Sequence, residues 1–172
     1  MKPIKIFSIL LMLCLGIATV ATAQPAAVKK AANTTFTLTT FDAKGSILST
    51  SNGVFVSNNG ICVSTWKPFV GAMKAEVTDN NGQKYSVETI LGANELYDVA
   101  KFKITAKTNA ALFAPSVVAN SAAWIVMPSQ AGAPIKANID KVEKFMTKYN
   151  YCVLTTTASE KYNGAPVLND KG

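Results

Sequence analysis

The 172-residue chain contains no histidine, and that absence removes more chemistry than any motif supplies. Ser-His-Asp and Cys-His sites both need an imidazole to take and return a proton near neutral pH, so both are excluded. Neither G-x-x-x-x-G-K-[ST] nor G-x-G-x-x-G occurs, which leaves no cradle for a nucleotide phosphate. The acids Asp42, Glu76, Asp79, Glu88, Glu95 and Asp98 are dispersed, and no glycosidase pair stands out among them. With no His and no C-x-x-C, no metal site and no cofactor are expected. Trp66 and Trp124 are of a type that lines ligand grooves, but aromatics in strand-like runs belong more often to a core.

Residues 1–23 read as a secretory signal. Lys2 and Lys5 supply the positive region, residues 6–20 the apolar core, and Ala21-Thr22-Ala23 a cleavage site before Gln24. The small residues ending the run favour cleavage over a membrane anchor, so a periplasmic or secreted product with no membrane attachment is expected. Without Lys2 and Lys5, 15 lysines stand against 10 acids, a net charge of +5. Every basic residue is Lys, and the lysines are scattered. Nucleic-acid readers rely on the bidentate fork of Arg, so no nucleic-acid partner is expected. Two cysteines remain, Cys62 and Cys152. An exported pair is compatible with one disulfide. Both also sit in apolar runs where a free Cys packs as a small hydrophobe, and that reading is preferred.

The elements that must position any site are strands. Residues 45–104 carry short β-branched and aromatic runs, Gly53-Val-Phe-Val-Ser, Ile61-Cys-Val-Ser-Thr, Lys84-Tyr-Ser-Val-Glu and Val99-Ala-Lys-Phe-Lys-Ile, each bounded by Asn and Gly. Asn58-Asn59-Gly60 and Asn80-Asn81-Gly82 predict two-residue hairpin turns in which Asn-Gly supplies the positive φ angles. Residues 24–35 read as an extended or frayed leader, 36–41 as the first strand, and Asp42-Ala43-Lys44-Gly45 as a turn. Gly92-Ala93-Asn94 reads as a bend. Residues 105–123 form a connector with one weak strand at 114–118. Strands resume at 123–127; residues 135–145 are read as a strand, although Ile139, Val142, Phe145 and Met146 also fit a helix face; and 149–157 is a further strand.

This order of parts resembles the first β-barrel of trypsin-like serine proteases of the HtrA type. Ser57-Asn-Asn-Gly60 matches the first hairpin, Gly71-Ala72 the step after the catalytic His, Asn81-Gly82 the second turn, and Tyr97-Asp98-Val99-Ala100-Lys101-Phe102-Lys103-Ile104 the strand bearing the catalytic Asp. Asn163-Gly164-Ala165-Pro166-Val167-Leu168 resembles the segment around the nucleophile. The resemblance implies an all-β, trypsin-like double β-barrel, with the first barrel at 36–108 and a second, incomplete one at 109–172. The second lacks the strand expected after Asp170-Lys171-Gly172, so either the sequence is part of a longer one or another element covers the open edge.

Carried over by resemblance, the His position falls at Lys67, the Asp at Asp98 and the nucleophile at Asn163. The oxyanion-hole Gly falls at Lys161, where the peptide orientations that Gly permits are costly. Gly164 and Pro166 are expected to keep the shape of the turn. The expected function is that of an exported, non-catalytic protease homologue that uses the cleft between barrels to bind peptide or to scaffold. Its expected partners are polypeptide segments, or a protein covering the C-terminal edge. Two other readings stay open: an active exported hydrolase with an unconventional site in which Lys67 is the base, and a structural or adhesive β-sandwich.

Overall fold

Alternation along the strands decides which residues meet. The computed structural model describes residues 24–145 and 149–172; the signal expected at 1–23, and Met146, lie outside the described residues. In β6 (Val99–Ile104), Ala100, Phe102 and Ile104 are fully buried while Val99, Lys101 and Lys103 are exposed, the period-two pattern of a strand with one face in a core. β1 (Thr35–Phe41) turns Phe36 and Leu38 inward in the same way. With β2 (Ile47–Phe55), β3 (Ile61–Ser64), β4 (Lys74–Thr78) and β5 (Lys84–Asn94) they close a barrel in the order β1-β2-β3-β6-β5-β4. Leu38 opposite Val77 joins β1 to β4 and completes the ring. A closed six-stranded barrel removes the reading of two flat stacked sheets. Its core is Phe36, Leu38, Phe55, Cys62, Val77, Phe102 and Ile104, with the Phe36 ring 4.8 Å from Phe55 and 5.9 Å from Phe102.

The hairpin turns form where expected, but the asparagines do not take positive φ; Gly60 and Gly82 alone do so, at +82° and +78°. The loops are longer than two residues. Asp79 Oδ1 accepts from the N–H groups of Asn81 and Gln83, and the Gly82 N–H donates to the Asp79 carbonyl. Asp42 repeats this with Lys44, Ser46 and Gly45. A side-chain acceptor at the head of the loop stabilises a turn that needs only one left-handed residue at its end. The bend expected at Gly92 is absent: β5 runs on to Asn94 and absorbs its irregularity as bulges near Thr89 and Leu91.

The expected leader is instead a helix, α1 (Ala26–Ala31), continued by a 3₁₀ turn over Ala32–Thr34. Val28 and Ala32, four residues apart and so on one helical face, pack with Trp124, Val126 and Leu168 in a second core. The Trp124 indole N–H donates to Asp170 at 2.7 Å. That core lies under a four-stranded sheet, ordered β10-β7-β8-β9, of β7 (Ala122–Ile125), β8 (Ile135–Phe145), β9 (Tyr149–Leu154) and β10 (Val167–Leu168). β8 is a strand because it is laddered on both sides, to β7 and to β9. No strand forms at 114–118, where Pro115 interrupts an exposed run. The second lobe is thus a half-barrel beside a complete one.

Candidate functional site

β3 delivers the chain to the position resembling the catalytic His. Beyond Ser64 it enters a 3₁₀ turn, Lys67–Phe69, with Pro68 at its start. Trp66 stacks on Phe69 at 6.0 Å, and Phe69 meets Phe102 edge-on at 5.2 Å, so the turn is anchored to the barrel core. The Lys67 backbone N–H donates to Asp98 Oδ1 at 2.7 Å. Asp98 closes the short turn between β5 and β6 with a φ of +49°, a conformation in which Asp is tolerated better than most residues. Its carboxylate holds the backbone of Lys67 rather than the ammonium. The ion pairs among the described residues lie elsewhere, Lys74–Glu76 and Lys141–Glu143.

Asn163 follows a 3₁₀ turn over Glu160–Tyr162, and its N–H donates to the Glu160 carbonyl at 3.0 Å. In a protease the nucleophile's own N–H points at the developing oxyanion; here it closes a turn. The segment is clasped to the first barrel by Asn52 on β2. Asn52 N–H donates to the Asn163 carbonyl at 2.8 Å, and its Nδ2 donates to the carbonyls of Lys161 at 2.7 Å and Asn163 at 3.0 Å. Ser64 Oγ donates to the Asn52 carbonyl at 2.5 Å and lies 3.3 Å from Ser51 Oγ. Gly164 has a φ of +76°, and the Pro166 carbonyl accepts from the Val126 N–H. Asn52, Ser51 and Ser64 are all buried. Sequence reasoning passed over them: Ser51 and Asn52 end a polar stretch, Ser49-Thr50-Ser51-Asn52, within β2, and residue type alone does not mark Ser64.

The structure therefore brings Lys67 and Asp98 together through a backbone bond, and fastens the Lys161–Asn163 loop to the same barrel through Asn52. Between the lobes, a cavity of about 430 Å³ is lined by Leu96 and Tyr97 of the turn before Asp98 and by Glu143, Lys144 and Tyr151 of the β8–β9 hairpin. Tyr97 and Tyr149 bridge the lobes with ring centroids 4.5 Å apart.

Cys62 and Cys152 are free thiols. Cys62 sits in the barrel core, and burial pushes its thiol from 9.0 up to about 12; Cys152 is half-buried on β9. A maleimide is expected to modify Cys152 in the native protein and to reach Cys62 only after unfolding, a difference read by intact mass. The unfolded Cys62 thiol ionises before the folded one. Its contribution to stability is therefore complete below pH 9 and declines as pH rises toward 12.

Among the described residues, no group of three or more His, Cys, Asp or Glu could hold a metal ion, and no helix is long and apolar enough to cross a membrane. No family model and no curated protein matches the sequence. Solved structures do match. The chain is similar to the serine endoprotease from Yersinia pestis, with a TM-score of 0.73 and 19% identity over 89% of this chain and 56% of that one. It is also similar to AlgW, an HtrA-type protease solved with a tripeptide, with a TM-score of 0.73 and 17% identity over 87% of this chain and 52% of that one. The fold is that of trypsin-like proteases of the HtrA type, and the chain spans a little over half the length of these structures.

Proposed function

We propose that the chain is an exported, non-catalytic relative of trypsin-like serine proteases that holds a polypeptide segment between its lobes without cutting it. The observation that carries this reading is the chemistry at the triad positions: Lys67, a carboxylate that holds a backbone amide, and Asn163, whose N–H is bonded to Glu160. Lys67 is exposed, and no apolar enclosure surrounds it of the kind in which lysine bases are commonly found. Asn163 carries an amide in place of a hydroxyl nucleophile. Export rests on the signal at 1–23. Polypeptide as the ligand class is supported by the tyrosine-lined cavity beside Asp98 and by the tripeptide in the AlgW structure.

One experiment reads both halves of the proposal. A fluorescently labelled, unfolded protein is incubated with the chain over the pH range in which the chain stays folded, following anisotropy for binding and fragment size for cleavage. Binding without cleavage is expected, with affinity lowered in Tyr151→Ala. Turnover that disappears in Lys67→Ala or Asn163→Ala would establish an active hydrolase and overturn the reading, as would an absence of saturable binding.

A further inference from the structure

Two buried side-chain atoms lack a hydrogen-bond partner among the described residues, Nε2 of Gln24 and Oγ1 of Thr65. Buried polar groups in native proteins are nearly always paired, so each exception needs a reason. A threonine hydroxyl has one proton, which rotates toward whatever acceptor is near, whereas a primary amide nitrogen carries two N–H donors in a fixed plane. Gln24 is the costlier of the two, and its place in the chain gives it a chemistry that Thr65 lacks.

Gln24 follows Ala21-Thr22-Ala23, the cleavage site of the signal. Cleavage there leaves Gln24 with a free α-amine. The Pro25 carbonyl accepts from the Lys29 N–H at 3.1 Å, so α1 begins within two residues of the new terminus. That helix has no side-chain cap and no acid in its first turn, and its lysines, Lys29 and Lys30, stand in its last. Nothing in the helix offsets an ammonium at the end where the helix dipole is already positive. The terminus is also tied down, because Val28 is fully buried in the second core and Gln24 is itself half-buried.

We infer that Gln24, once exposed by cleavage, closes into a pyroglutamyl residue. This chemistry rests on the export proposed above, because the α-amine is free only after cleavage behind Ala23. The α-nitrogen attacks the side-chain carbonyl carbon Cδ; an N–Cδ amide bond forms, the Cδ–Nε2 bond breaks, and Nε2 leaves as ammonia with a proton from the α-nitrogen. No oxidant, water or co-substrate is consumed. The atom lost is the buried, unpaired one, and the ammonium becomes an uncharged lactam, so one reaction removes both costs. The closed terminus offers no α-ammonium for an exopeptidase to grip, which protects α1 and the packing of Val28 with Trp124 and Val126.

The test is the N-terminal tryptic peptide, residues 24–29, of the full chain expressed with its signal in its native host, read by tandem mass spectrometry and by an amine-reactive label. The expected peptide is lighter than its encoded mass by one ammonia and is unlabelled at the α-nitrogen. A synthetic peptide of the same sequence, taken through the same digestion, is expected to stay open. Gln24→Ala is expected to be cleaved at the same place and to take the label at residue 24. A peptide that starts at Gln24 with its full mass and a reactive α-amine overturns the inference and leaves export standing, and so does equal closure of the synthetic peptide. A chain that starts at another residue overturns the cleavage after Ala23, and the inference with it.

Discussion

Gly164→Ala is expected to unfold at a much lower urea concentration than the parent, with a loss of about 3 kcal/mol or more. Two costs combine at this residue. Its φ of +76° is one that an L side chain adopts only at a penalty of about 1–2 kcal/mol. A Cβ there would also lie 1.9 Å from the Asn52 carbonyl oxygen and 2.9 Å from Ser64 Oγ. Asn52 is laddered to Thr37 of β1, so its backbone cannot retreat without opening the barrel. The loop must move instead, and it gives up the Asn52 bonds to Lys161 and Asn163, each contributing about 0.5–1.5 kcal/mol. Gly82→Ala separates the two costs, because its φ of +78° is nearly the same and nothing lies within 4 Å of the added carbon. It is expected to lose only about 1 kcal/mol. Equal losses in the two variants would mean that the close approach of Gly164 to β2 contributes nothing.

The contrast between these glycines also shows what a sequence reveals. Gly82 and Gly60 announce their turns through neighbours a few residues away, so the hairpins and the alternation of β1 and β6 are legible from local pattern. Gly164 is constrained by Asn52, more than a hundred positions earlier, and no local pattern encodes that. The same reasoning explains α1. A six-residue, alanine-rich run has too little periodicity to mark a helix, and it is held by burying Val28 against Trp124 and Val126 from the other end of the chain. Residues 135–145 were ambiguous between helix and strand for a related reason: their spacing fits both, and the ladders to β7 and β9 decide.

At the site, the order of motifs is what singles out Lys67, Asp98 and Asn163. For Asp98, the residue types leave two structural roles open, a hydrogen bond to backbone or a pair with Lys67; the first forms, with the backbone N–H of Lys67 donating to the carboxylate, since a 3₁₀ turn leaves its first amides free for an outside acceptor. The bond from the Asn163 N–H to Glu160 is invisible in residue types.

Phe36→Ala is expected to cost about 3–5 kcal/mol, and its effect should reach the site. Phe36 is fully buried, and its ring touches both Phe55 and Phe102. It also lies directly under Gly53: a Cβ at Gly53 would fall 2.2 Å from the ring. The backbone of β2 therefore rests on that ring one residue after Asn52, the residue that clasps the Lys161–Asn163 loop. Removing the ring leaves a cavity at the point where the barrel core supports the clasp. Loss of amide protection is expected first at residues 51–53 and 161–164, read by hydrogen exchange under native conditions. Phe36→Leu keeps most of the volume and should cost clearly less, about 1–1.5 kcal/mol. Phe113→Ala removes the same side chain where it is 81% exposed, and is expected to shift stability by no more than about 0.5 kcal/mol. If Phe36→Ala lowers stability as expected but leaves protection at 161–164 unchanged until global unfolding, then the clasp stands independently of the core. The Lys161–Asn163 loop would in that case be held by Asn52 without support from Phe36.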